Sequence, residues 1–316
     1  MSGVSINPGT LRKNGSRYYA PPLIILFSYS LFQVIMVSFI LEKVSMEIER
    51  KTKEEVKAYY IEQLGKFLAI IADIPNDEIR KLPAVHIPIL GFPDCDEMPE
   101  IAFYGMETNT WGSMLELRNS YIKDPESAYR YITEVFNPHF VIDCARPRQS
   151  IFFKYVIALL AGIYGFTPKQ IKNEVELKKH LFIWGNIMSL ERYNVSAKSK
   201  GVKWETFKKA YDASAILNRL PNGNLGPTYI VRACRPKLLF ILYWDFNLGN
   251  WIKNEFGIDK DKIQNHLYYC HIEETDTHVF KMPHPVFINR CIGWHKSINE
   301  VLERLKINRQ IAESNH

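Results

Sequence analysis

The sequence predicts an α/β fold: a three-layer αβα arrangement around a central, mostly parallel four-stranded sheet. Three observations carry that expectation. Four short apolar runs stand apart along the chain, "IAFY", "LFIW", "LLFILYW" and "HVFKM". They are too short for helices and nearly continuously apolar, as strands covered on both faces are. Between them lie stretches whose apolar residues recur at helical spacing, and that alternation implies crossover helices over a parallel sheet.

Taken in order, "MEIERKTKEEVKAYYIEQL" from Met46 begins a charged amphipathic helix that runs on towards "IPNDEIRKLP". After the Pro/Asp-rich "GFPDCDEMP", the run "EIAFYG" is the first strand, halted by glycine. The segment "SMLELRNSYIKDPESAYRYITEVF" is helical with a break near Pro125, because proline disfavours helix in the residue before it. A second helix follows in "RQSIFFKYVIALLAGIYGF", with Arg146 and Arg148 at or just before its start. "HLFIWGNIMSL" is a strand interrupted at Gly185-Asn186, and "KWETFKKAYDASAILNRL" an amphipathic helix closed by the turn-rich "PNGNLGP". "KLLFILYW", the short helix "NLGNWIKNEFG", the strand "THVFKMP" and the helix "SINEVLERLKINRQIA" complete the chain.

With 316 residues, one large or two smaller domains are expected. Residues 46–83 read as an N-terminal helical segment and 84–316 as the main domain. Residues 1–45 form a hydrophobic leader, in which Leu23 to Leu41 is an uncharged run of 19 residues preceded by Arg12, Lys13 and Arg17. It is expected to be a membrane helix, a packed helix, or untranslated sequence ahead of a start at Met46. The cytoplasm is the expected location, with membrane anchoring as the lesser alternative.

A composition 47% hydrophobic and 23% charged excludes a disordered chain. The formal net charge of +6 permits an anionic partner such as nucleic acid without requiring one. Five scattered cysteines with no C-x-x-C pair suit neither a zinc or iron–sulfur centre nor a disulfide framework.

Each of the four strand ends carries polar or special residues: Gly105-Met106-Glu107-Thr108-Asn109, Gly185-Asn186, Asp245-Phe246-Asn247 and Pro283-His284-Pro285. Alone, Glu107 reads equally as a surface carboxylate, Asn186 as a turn residue and His284 as a capped loop histidine. In a parallel sheet all four ends face one crevice, where ligands bind.

The order and context of these motifs resemble the uracil-DNA glycosylase superfamily over roughly residues 84–305. "FYGMETN" is similar to its first strand and water-positioning loop, "LFIWGNIMSL" to the strand ending in a base-reading asparagine, and "SAKSKGVKWETFKKA" to a later loop and helix. "KLLFILYWDFNLGNWI" is similar to the next strand. "MPHPVFINRCIGWHKSINEVL" resembles the final His-Pro motif, with Gly293, His295, Ser297 and Asn299 in the family's order. The chain departs from the family in three ways. The first loop lacks its proline, Glu107 stands where Asp, Asn or Ala is usual, and Val286-Phe287 replaces Ser-Pro.

The resemblance implies a monomeric DNA glycosylase that flips a base from DNA and hydrolyses its bond to deoxyribose, with no metal and no small-molecule cofactor. Glu107, or Asn109 in its place, would position water. His284 would stabilise the departing base, and Asn186 would read the base edge, with Trp111 or Tyr104 as its aromatic floor. Pro285, Val286, Phe287 and Ile288 would probe the duplex, and Arg290, Lys296, Lys198 and Lys200 would contact phosphate. The base is open among uracil, a damaged base and a modified base, and the altered first loop makes a non-uracil substrate a reasonable expectation. The alternative is a non-catalytic module that binds DNA or a modified base on the same fold.

Overall fold

The computed structural model describes residues 49–316 except 106–111, 191–200, 219–223, 244–247, 259–260, 265 and 315–316. The expected roles of Glu107, Asn109, Trp111, Lys198 and Lys200, and the apolar run 23–41, lie outside the described residues.

The four apolar runs are strands, and they are mutually parallel. Among the described residues the sheet has seven strands: β1 (Ile89–Leu90), β2 (Ile101–Gly105), β3 (Phe182–Asn186), β4 (Leu238–Leu242), β5 (Asp261–Gln264), β6 (Leu267–Ile272) and β7 (Thr277–Met282). Their order is β1-β3-β2-β4-β7-β6-β5. The parallel core is β3-β2-β4-β7, while β1, β6 and β5 join antiparallel. The fold is therefore mixed α/β with a mixed sheet, larger than the four-stranded one expected.

The physical reason for the difference is local. Strand β6, "LYYCHI", has the same burial pattern as β7, half-buried at its second and fifth residues, but it pairs antiparallel with β7 as a hairpin, a connection that an alternation of strands and crossover helices leaves out. Strand β1 has only two residues.

The helices start and stop where local chemistry dictates. Helix α1 (Lys53–Ile70) opens on a capping box: Thr52 Oγ1 accepts from Glu55 N at 3.2 Å, and Glu55 Oε2 accepts from Thr52 N at 2.8 Å. Pro125 divides α2 (Met114–Lys123) from α3 (Pro125–Thr133), with Asp124 capping the second. Asn137 caps α4 (Pro138–Cys144). Ser150 caps α5 (Ile151–Tyr164), which ends at Gly165 in the left-handed region, φ +74°. Helices α6 (Glu174–Lys179), α7 (Trp204–Ala213), α8 (Pro227–Cys234), α9 (Leu248–Phe256) and α10 (Trp294–Ser314) follow.

Alternate residues of each central strand feed two hydrophobic clusters. Ala102, Tyr104, Ile183, Leu239, Ile241 and Val279 join residues of α1, α2, α3, α7, α8 and α9 in one. Phe103, Phe182, Trp184, Phe240, Phe280 and Met282 join residues of α4, α5, α6 and α10 in the other. Helix α1 shares its cluster with the sheet, and residues 49–316 form one compact unit. Residues 53–82 are thus built into the same core as the sheet, not set apart from it. Among the described residues, no helix is long and apolar enough to cross a membrane.

Candidate functional site

Because β3, β2, β4 and β7 are parallel, their carboxyl ends share one edge of the sheet. Gly105 and Asn186 are the last residues of β2 and β3 and are direct partners in the ladder. The ladder continues one step further, with Ile187 N donating to Gly105 O at 2.9 Å. A Cβ on Gly105 would lie 2.9 Å from Asn186 Oδ1 and 3.3 Å from the Phe152 ring. The missing side chain of Gly105 therefore makes room for the Asn186 amide. Asn186 is 3% exposed, so its amide is held against packed neighbours and not left to rotate in solvent. Phe152 is half-buried in the first turn of α5 and closes this corner.

His284 follows β7 and caps the short helical turn Pro285–Phe287. The Val286 N–H donates to His284 Nδ1 at 3.3 Å. A ring nitrogen that accepts carries no proton, so the neutral imidazole is protonated at Nε2, the atom facing away from the turn. Burial pushes the imidazole below its ordinary pKa of 6.5, which favours this neutral form.

The turn is held from beneath. Tyr155 of α5 bonds Ser297 of α10 at 2.9 Å, and its hydroxyl reaches Met282 Sδ at 3.8 Å. Pro285–Phe287 runs into a wider turn, Ile288–Ile292, closed by Gly293 at φ +87°, a conformation that favours glycine.

No protein-family model matches the chain, and no curated protein matches it.

Several expected residues keep their place and others do not. Asn186 and His284 both stand at carboxyl ends of parallel strands, as expected. Tyr104 does not serve as a base floor. It is fully buried, its hydroxyl donates to Leu225 O at 3.3 Å, and a Cβ on Gly185 would strike its ring at 2.5 Å. Alternation along β2 turns it to the face opposite Gly105.

Ile288 is likewise not a probe of DNA, being fully buried in the cluster of α5 and α10. Pro285 is buried and Val286 half-buried, whereas Phe287 is 36% exposed and Arg290 and Lys296 are exposed. The segment expected as a loop is helical, so only one side of it meets solvent. Sequence reading missed Phe152, whose place beside Asn186 depends on how α5 packs against β2. Its only local signal is its position two residues after the cap Ser150.

Chemically, this edge of the sheet holds a buried amide, an aromatic ring near it, and an imidazole whose accepting Nδ1 leaves the proton on Nε2. An amide reads a planar edge that carries both a donor and an acceptor. A fixed N–H favours negative charge developing on an oxygen.

Proposed function

We propose that the protein is a DNA glycosylase on a three-layer αβα scaffold, hydrolysing the bond between deoxyribose and a flipped-out base. The observation that carries this reading is the pairing of a buried amide, Asn186, with a neutral imidazole, His284. Each stands at the carboxyl end of a parallel strand, and β2 and β4 lie between them. Three strand spacings amount to roughly 14 Å. In this reading the flipped base lies over the ends of β2 and β4, with Asn186 on one side and His284 on the other.

In this reading Asn186 hydrogen-bonds the base edge and Phe152 covers one of its faces. Flipping costs a few kcal/mol, offset by stacking and hydrogen bonds in the pocket. As the N-glycosidic bond breaks, the sugar becomes cationic and the base departs with its electron pair, much as in sugar hydrolysis. His284 Nε2–H donates to the base oxygen on which that charge collects. Burial disfavours the imidazolium that a general acid would need, so the neutral ring lends a hydrogen bond and keeps its proton. Phe287 occupies the gap in the base stack, as apolar wedges do, and Arg290 and Lys296 contact phosphate. Glu107 or Asn109 positions the attacking water, whose oxygen bonds the sugar carbon while its proton passes through solvent to the departed base anion. The departures of the first loop and of Val286-Phe287 favour a damaged or modified base over plain uracil.

The test is mass spectrometry of bases released from a panel of uracil-containing, damaged and naturally modified DNAs. Release of one base class, with an abasic product, supports the reading. Tight DNA binding with no base released from any member would mean a binding module instead.

A further inference from the structure

The opposite end of the sheet holds a second constellation. His271 on β6 and His278 on β7 are direct cross-strand partners, and their rings stack with centroids 4.4 Å apart. Between them in sequence, Asp276 sits at φ +52°, a left-handed conformation that few non-glycine residues adopt. That turn brings its carboxylate back to His271, with Oδ1 2.9 Å from Nε2. One ligand-capable atom from each of the three lies within 4.8 Å of the others.

Two further observations point to a ligand. His278 Nδ1 bonds the Tyr269 hydroxyl at 2.8 Å. That bond orients the ring and leaves Nε2 as its second donor atom, the arrangement that outer partners impose on metal-binding histidines. The trio also lines a cavity of about 760 Å³ at the amino ends of β2 and β4, with Ile101, Leu238, Tyr164 and Leu302 among its walls.

We propose that His271, Asp276 and His278 bind one zinc-class divalent ion, whose fourth position opens into this cavity. Two imidazoles and a carboxylate are the donor set of sites that keep one position for water or a ligand. The surrounding charge is mixed. Lys237 pairs with Glu100 at 2.9 Å, the Arg304 guanidinium lies over the Tyr269 ring at 4.4 Å, and Lys306 lines the cavity wall. These cations suit an anionic occupant of the fourth position, such as a carboxylate or phosphate oxygen. Six residues of extended chain separate His278 from His284, roughly 20 Å, so the ion would not touch the proposed base pocket.

The experiment uses the full chain, stripped with chelator and titrated with Zn²⁺ by calorimetry and with Co²⁺ by visible absorption. One ion per chain and the intense bands of tetrahedral Co²⁺ are expected. His278→Ala and His271→Ala should abolish both signals. Asp276→Asn, at an exposed turn that tolerates asparagine, should weaken binding with an unchanged circular dichroism spectrum. Tyr269→Phe should lower affinity about ten- to a hundredfold, and replacing the remote, exposed His139 by Ala should change nothing. Non-saturable uptake, or uptake equal in wild type and His278→Ala, would overturn the proposal. Because no DNA is present, neither outcome bears on base release.

Discussion

Gly105 and Asn186 are paired across β2 and β3 so closely that one added methyl group on Gly105 would lie 2.9 Å from Asn186 Oδ1. That is inside the distance two such atoms tolerate, so Gly105→Ala must displace the amide. A shift of about 1 Å in a positioning group can cost roughly a hundredfold in rate. Base release by Gly105→Ala is therefore expected to fall about a hundredfold, with a stability loss of about 1–3 kcal/mol. In Gly105→Ala/Asn186→Ala the stability should return while the activity does not. An unimpaired Gly105→Ala enzyme would remove Asn186 from the site.

His284→Ala should lower single-turnover base release by about a hundred- to a thousandfold, the usual cost of one preorganised donor, with DNA affinity little changed. The pH profile carries a sign. Burial holds the folded pKa below 6.5, so at pH 6.5 the neutral imidazole, with its Nδ1 free to accept from Val286, is the major form. Acid below that adds a proton at Nδ1 and breaks the bond. Release should fall with acid, with a midpoint below pH 6.5. A midpoint at or above 6.5 that is absent from His284→Ala would contradict the neutral assignment.

Acid should also unfold the protein through His86. This residue is 1% exposed, packs edge-on against Trp184 at 4.8 Å, and is pushed by burial to a pKa of about 3. The unfolded chain regains the ordinary value of 6.5 and so binds the proton first. Stability is then complete above pH 6.5 and declines as pH falls toward about 3, by on the order of 5 kcal/mol across that window. Denaturant titrations at stepped pH should show a dependence shallower by about one proton in His86→Gln. An identical slope in the two proteins would refute the assignment.

In the proposed reaction Phe152 would stack on the flipped base and Phe287 would fill the gap it leaves. Phe152→Ala should reduce base release from single- and double-stranded substrates alike, since a stacked base is worth about 1–3 kcal/mol. Phe287→Ala should impair release chiefly from duplex DNA, where the flipped state needs a wedge. Comparing both variants on matched single- and double-stranded oligonucleotides distinguishes the roles. Equal losses on both substrates for Phe287→Ala would exclude a wedge.

The parallel core was legible because its strands are buried on both faces, which writes a continuous apolar run into the sequence. Strand β6 was not, because it returns on β7 as an antiparallel hairpin and so falls outside the strand–helix–strand alternation that marked the core. His284 stood out through its flanking prolines, and its capping role agrees with the modest local reading as well as the catalytic one. Tyr104 and Ile288 were misplaced because the number of residues past a strand or turn does not say which face a side chain takes. Phe152 and the His271–Asp276–His278 trio depend on helix packing and hairpin register, contacts that no spacing within a single element encodes.

The bond from the Val286 N–H to His284 has a consequence for repeated turnover. A general acid gives up its proton and must collect another before the next substrate. An imidazole that only lends its Nε2–H, with its other nitrogen already engaged by the backbone, ends each cycle as it began. In the proposed reaction the recovery step then lies elsewhere, in release of the abasic product and the free base. Burst kinetics with a slow steady state would be its signature.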